Sequence, residues 1–376
     1  MKRFDEPILV TRPYLPPIED FKKGLEEIWS NQWLTNNGPM LQRFQKELSK
    51  YLGVPETNLA LFNNGTLALE LGYYAMGLAG GDVITTPFTF VATSHALKRI
   101  GANPIFADID PETMCLSPEA AEKLITPRTK AIVPVHVYGN VCDVEGFERL
   151  GEKYGVKIIY DAAHAFGVKS LSRVEHVERV ERKVYEYGDM SMFSFHPTKL
   201  FHSCEGGLLV FKDAAVQAKL FELRNFAIHS ETECVDVGSN AKMNEVQALM
   251  GLECLKKMGE LLDYRQKIYR AYEEVFADCP GVKIVPYSQN KAYIPVLFKD
   301  FATRERVYTE LKEKCNVFSR RYFYPLLTDF APYVYGKGSC PLAEGIASRV
   351  LTLPTYYGLP LEDVWAIAEN VKEIVG

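Results

Sequence analysis

Apolar residues follow two rhythms along this chain. Between about residues 56 and 212, short apolar runs alternate with stretches of helical spacing. The runs are Leu59–Phe62, Val83–Thr86, Pro104–Ala107, Ala131–Val137, Lys157–Tyr160, Met190–Phe195 and Gly207–Phe211. Helical spacing is clear at Leu67–Leu78 and Glu119–Ile125. Strand–helix alternation predicts βαβ units and a mostly parallel sheet buried on both faces. Ahead of it, Pro-rich turns surround an amphipathic helix, Ile18–Ser30. Beyond residue 240 the pattern turns helical, with one long helix predicted from Asn244–Met258 toward Phe276. Strands at Val282–Val285 and Ala292–Phe298 and helices at Thr303–Lys314 and Leu361–Ile374 complete a smaller α/β unit. The expected division is 1–250 for the N-terminal segment and large domain and 251–376 for the small domain. Ligands of such sheets sit beyond the carboxyl ends of the strands, so the polar residues after each run are the candidates.

Composition narrows the picture. The 376 residues are 47% hydrophobic and 24% charged, enough apolar surface for folded domains. Forty-three Lys and Arg against 48 Asp and Glu leave a net charge of -5. That speaks against general nucleic-acid or anionic-membrane binding but leaves room for a local phosphate pocket. No apolar run has the length of a membrane span, and Met1–Pro7 lacks the core of a secretory signal. The eight cysteines are scattered without a CxxC pair. No zinc site, other metal or disulfide framework is expected, and the reading is of reduced thiols in a cytoplasmic protein. The charge-rich stretch Ser170–Glu186 reads as a solvated insertion.

Three segments carry candidate chemistry. In the first, Asn63-Asn64-Gly65-Thr66 lies between a strand and a helical pattern. Free amides and the positive helix end would meet a phosphate there, with the Thr66 hydroxyl beside them. Taken alone it is more often a plain capped helix start. In the second, Asp161-Ala162-Ala163-His164 ends an apolar run. The Asp suits a protonated ring nitrogen and the imidazole a ring face, although a capping Asp and a structural His fit equally. The third, Ser194-Phe195-His196-Pro197-Thr198-Lys199, ends in a lone Lys before Glu205-Gly206-Gly207. A Lys in such apolar company is a candidate for a buried, activated Schiff-base amine. No P-loop and no strand-linked GxGxxG is present, which weakens ATP-binding and oxidoreductase readings. Phosphate cradle, ring acid, ring partner and Schiff-base Lys are together the requirements of pyridoxal phosphate.

With these segments the chain resembles the DegT/DnrJ/StrS family of sugar aminotransferases over nearly its whole length. Trp33–Pro39, Asn64–Thr66, Gly81–Phe90, Asp161–Ala165, Ser194–Lys199 and Gly238–Glu245 carry the likeness. The resemblance implies a fold-type I transferase of the aspartate-aminotransferase kind, with a mixed, mostly parallel seven-stranded sheet and a smaller C-terminal α/β domain. It implies that Lys199 forms the Schiff base, Asp161 pairs with the pyridine N–H, and His164 and Phe90 flank the ring. Gly65, Thr66 and Ser194 would hold the phosphate, joined by Asn240 from the neighbouring subunit of a homodimer. Cys204 stands where many relatives have Gly, and His164 where many have Gln or Glu.

The resemblance further implies ping-pong transamination from L-glutamate to a nucleotide-linked keto-sugar, in deoxyamino-sugar biosynthesis of the O-antigen and lipopolysaccharide kind. The Phe195–Lys199 run is more similar to relatives acting at C4; those acting at C3 more often have Tyr in place of His196. Arg320-Arg321-Tyr322 and the residues after it resemble the segment of relatives that make dTDP-4-amino-4,6-dideoxyglucose. The arginines and tyrosines of this stretch are candidate ligands for the diphosphate and sugar, and for Arg320 and Arg321 a surface pair is an equal reading. A pyridoxamine-dependent dehydratase would carry His in place of Lys199, and a non-catalytic binding protein would be expected to lack Lys199 or Asp161.

Overall fold

The computed structural model describes residues 1–171, 181–285 and 289–376. Its main sheet has seven strands, Leu59–Phe62, Asp82–Thr85, Asn103–Phe106, Thr129–Val133, Lys157–Asp161, Met190–Ser194 and Gly207–Phe211. Across the sheet the strands run in the order of those starting at Leu59, Gly207, Met190, Lys157, Thr129, Asp82 and Asn103. The Gly207 strand is antiparallel to both neighbours, and the other adjacent pairs are parallel. The sheet is therefore mixed and mostly parallel. Apolar runs buried on both faces leave no solvated side for alternation, which is why unbroken Val, Ile and Leu marked them.

Several helices differ from the sequence reading. The predicted Glu119–Ile125 helix is the short Pro118–Glu122. Pro39–Leu52, Ala92–Arg99 and Val144–Tyr154 were not foreseen. Pro39–Leu52 begins in a Gly-Pro step that reads as a turn, yet Met40, Leu41, Phe44, Leu48 and Leu52 line its buried face. Its start is held from afar: the Glu245 carboxylate accepts the amides of Met40 at 2.7 Å and Leu41 at 3.0 Å. An anion at a helix N-terminus is favourable, and it joins two of the resemblance segments, Trp33–Pro39 and Gly238–Glu245. The long helix expected from Asn244 is two, Glu245–Leu255 and Met258–Phe276, broken at Lys257 (φ -107°, ψ 3°).

A second, antiparallel sheet is formed by Val282–Ile284, Ile294–Phe298 and Val350–Leu353. It shares a core with the helices Met258–Phe276, Phe301–Cys315 and Leu361–Val375. Phe4 and Ile8 belong to that core too, because Ile8–Leu9 pairs in parallel with Val317–Phe318. Of the charge-rich stretch, residues 172–180 lie outside the described residues. Lys169–Leu171 and Glu181–Lys183 form an antiparallel pair. Val184 and Tyr185 are buried, so the end of that stretch packs into the protein rather than facing solvent. Among the described residues, no helix is long and apolar enough to cross a membrane.

Candidate active site

At the carboxyl end of Leu59–Phe62 the chain turns into the helix Gly65–Ala75. The Asn64 side chain caps it, accepting the Leu67 amide at 2.8 Å. Capping is thus the work of Asn64, and the first-turn amides of Gly65 and Thr66 have no acceptor within the helix. Glycine lets the two strand ends approach closely at 65: a Cβ there would lie 3.2 Å from the Ser194 Cβ and 3.3 Å from its Oγ, a tight contact. Ser194 ends its own strand at the same level. Two strand ends and a helix N-terminus therefore meet at one end of a shared cavity, an arrangement that favours an anion.

Asp161 ends the strand Lys157–Asp161 and is only 4% exposed. Its Oδ2 accepts the Thr93 hydroxyl at 2.7 Å and its Oδ1 the Ala163 amide at 3.1 Å. Burial pushes the carboxyl up from its ordinary value, against the opposing pull of the Thr93 and Ala163 hydrogen bonds and the Lys199 charge. A buried acid of this kind is stabilised as an anion by a cationic partner within hydrogen-bonding reach.

His164 is buried, and its Nδ1 accepts the Tyr138 amide at 3.0 Å. Burial and the nearby Lys199 charge hold its pKa well below the usual imidazole value. The ring is neutral, with its proton on Nε2. It lies parallel to Phe323 at 6.0 Å between centroids and 4.5 Å from the Tyr293 ring. Lys199 follows the strand Met190–Ser194, and its Nζ donates to the Tyr293 hydroxyl at 3.2 Å. Gly65, Thr66, Asp161, His164, Ser194 and Lys199 all line one cavity of about 220 Å³.

A carboxylate, a neutral imidazole, a primary amine and an anion cradle facing one recess suit amine chemistry on a phosphorylated aromatic ring. The profile of the DegT/DnrJ/EryC1/StrS aminotransferase family matches residues 17–372. The chain belongs to this aminotransferase family. Its members depend on pyridoxal phosphate. The chain is 43% identical over 378 residues to the dTDP-4-amino-4,6-dideoxy-D-glucose transaminase of Shigella dysenteriae, covering 98% of this chain and 100% of that one. Among solved structures, DesI in the presence of its TDP-sugar product matches with a TM-score of 0.90 at 34% identity, over 100% of this chain and 94% of DesI. NtdA from Bacillus subtilis with bound cofactor PMP matches with a TM-score of 0.83 at 27% identity, over 95% of this chain and 82% of NtdA. The expected family and fold are both met.

In this aminotransferase the remaining candidates sit further out. Phe90 lines the cavity but is 58% exposed, at its mouth. Lys199 is half-buried rather than buried as the sequence suggested, since its amine must reach the open cavity. Asn240 is exposed and does not line the cavity of its own chain; its carbonyl accepts the Asn63 side-chain amide at 3.2 Å. Arg320, Arg321 and Tyr322 line an adjoining cleft of about 300 Å³ that shares Thr89, Phe90, Tyr322 and Phe323 with the cavity. Arg321 is no free surface arginine. It pairs with Glu305 at 2.5 Å, and its guanidinium stands 3.6 Å from the Tyr308 ring centroid. Cys204 adopts φ 63°, the left-handed conformation that favours glycine.

Sequence reasoning missed Thr93, Tyr138 and Tyr293, and it singled out Phe323 only as a member of the resembling segment that starts at Arg320. Thr93 had a signal, since it stands in the Ala92-Thr93 pair just after Phe90. Tyr138 and Tyr293 are two of 21 Tyr, and nothing local marks them.

Proposed function

We propose that this enzyme is a pyridoxal-phosphate-dependent aminotransferase that moves the amino group of L-glutamate to C4 of dTDP-4-keto-6-deoxyglucose, making dTDP-4-amino-4,6-dideoxyglucose. The observation that carries the reading is the convergence of Lys199, Asp161, His164 and the Gly65–Thr66–Ser194 recess on one cavity. The relatives' names support the substrate. The residues fit the cofactor: the recess at Gly65 is one that a Cβ would fill, and Asp161 is a buried acid facing the same cavity. Gly65, Thr66 and Ser194 would hold its phosphate, Asp161 its ring nitrogen, and His164 and Phe90 its ring.

When bound, pyridoxal phosphate supplies a carbonyl that bonds amines and a ring that accepts the electron pair left by a departing proton. The Lys199 Nζ would hold the group and, when free of it, would be the base for the proton on the donor's Cα. Asp161, as an anion, would keep the ring nitrogen protonated. Neutral His164 brings no positive charge to that ring. Tyr322 and Phe323 line both the cavity and the adjoining cleft, and Arg320 and Arg321 border the route by which a diphosphate would enter.

The same reading assigns the enzyme to a homodimer in which Asn240 serves the partner's phosphate recess; its exposure outside its own cavity supports this. Residues 1–250 would carry the cofactor and 251–376 cap it. Eight free thiols support a cytoplasmic place, and the product would feed surface-polysaccharide assembly of the O-antigen kind. The test is incubation with glutamate and candidate keto-sugar nucleotides, with NMR of the aminated carbon. Nitrogen on C4 of the dTDP-sugar is expected; nitrogen on C3 would overturn the assignment.

A further inference from the structure

The Lys199 amine has one hydrogen-bond partner among the described residues, and it comes from the other half of the molecule. Nζ donates to the Tyr293 hydroxyl at 3.2 Å, while the Tyr293 ring centroid is 5.8 Å away. The contact is thus made by the oxygen, not by the ring face. Tyr293 is only 8% exposed and lines the cavity just ahead of the strand Ile294–Phe298.

Its placement is built with several buried groups. Asn290, 1% exposed, donates to the carbonyl of His164 at 2.8 Å and of Phe166 at 3.1 Å, and accepts the Ala292 amide at 3.1 Å. Arg265, also buried, donates to the Ala292 carbonyl at 2.7 Å. The segment carrying Tyr293 is thereby tied to the segment carrying His164. The ring of Tyr293 packs 4.5 Å from that of His164, 5.9 Å from Tyr138 and 6.1 Å from Tyr322. Packing alone explains an aromatic residue here. It does not require the hydroxyl, which Phe would lack.

We propose that Tyr293 is a further catalytic residue, whose hydroxyl receives the Lys199 amine whenever that amine is free of the cofactor. The role rests on Lys199 being the reacting amine. Each half-reaction releases Nζ, which takes a proton from carbon and returns it to carbon. The carbon–hydrogen bond breaks, an N–H bond forms, and the same N–H later breaks. While Nζ carries the extra proton, Tyr293 Oη accepts one of its hydrogens and holds the ammonium within the cavity. The tyrosine forms no covalent bond, and Lys199 keeps the proton it will return.

The test is Tyr293→Phe, which keeps the ring that packs on His164. Single-turnover absorbance changes would be followed separately with glutamate and with the keto-sugar nucleotide. In cofactor-free protein, the rate of reductive methylation of Lys199 by formaldehyde and borohydride would be read by mass spectrometry. The expected result is a normal melting temperature, a loss of about 100-fold in both half-reactions, and a several-fold change in the methylation rate of Lys199. Half-reactions within about twofold of wild type with unchanged methylation would overturn the role of Tyr293 and leave Lys199 untouched. Failure of Lys199 itself would show separately, as a Lys199→Ala protein that borohydride still fixes to the cofactor.

Discussion

The floor of the cavity, Asn64–Thr66, Asp161 and Ser194–Lys199, comes from strand ends of the large sheet and the turns that follow. The wall, Tyr293 and Arg320–Tyr324, comes from the small sheet and its connections. The two handle buried polarity differently. The floor buries a carboxyl group whose pKa is raised by desolvation, beside the neutral imidazole of His164, which burial and the Lys199 charge hold well below its ordinary pKa. The wall instead pairs its charges. Arg304 has no exposed side-chain surface, and Glu305 meets it at 2.9 Å and Arg321 at 2.5 Å. The floor therefore carries polar strain that a charged ligand relieves. Behind the wall two guanidiniums share the single carboxylate of Glu305, and Arg304 Nη1, Arg304 Nη2 and Arg321 Nε have no hydrogen-bond partner among the described residues, so the pairing offsets their burial only in part.

Lys199→Ala breaks the floor most completely. Turnover should fall by about 10⁴-fold, measured as glutamate-dependent conversion of the keto-sugar, while the fold and the wall are spared. Asp161→Asn comes next. Turnover should fall by about 100- to 1,000-fold through loss of a preorganised charge. Because burial raises this acid's folded pKa, its ionisation opposes folding as pH rises through that value. The cofactor-free Asn variant should therefore melt no lower than wild type at neutral pH, and a marked fall in its melting temperature would refute the idea of strain in the floor.

Glu305→Gln asks the converse of the wall. It leaves Arg304 and Arg321 without their carboxylate and should cost about 2 kcal/mol of stability by denaturant unfolding, since the pair is only partly shielded. The KM for the nucleotide-sugar should rise, and the half-reaction with glutamate should stay near wild type. Equal losses in both half-reactions would erase the distinction between floor and wall.

The smallest effect is the response to acid. His136, His164 and His202 all have pKa values lowered by burial. A depressed folded pKa gives stability that is present above the unfolded value near 6.5 and is lost as pH falls toward the folded value. Each such group can steepen the loss by up to about 1.4 kcal/mol per pH unit. Melting temperatures should accordingly decline below about pH 6.5, and replacing His136 by Asn should flatten that decline.

The floor was legible in the sequence and much of the wall was not. Asn64-Gly65-Thr66, Asp161–His164 and Ser194–Lys199 are contiguous, because a strand end and the turn after it deliver several functional groups within a few residues. Tyr293 stands 94 residues from Lys199 and reaches it only through tertiary packing. Arg304 and Glu305 lie in a helix predicted from spacing, where charged residues ordinarily read as a solvated face. The Pro39–Leu52 helix was hidden for a related reason, as part of what stabilises its start is a carboxylate from residue 245. Local pattern shows where a strand delivers chemistry. It does not show which distant side chains close the site.

Borohydride reduction of the purified protein, followed by digestion and mass spectrometry of the modified peptide, shows most directly whether the Lys199 amine bonds pyridoxal phosphate. A phosphopyridoxyl group on Lys199 alone, absent from Lys199→Ala, is the predicted result. The same group on another lysine, or its persistence in Lys199→Ala, would contradict the account.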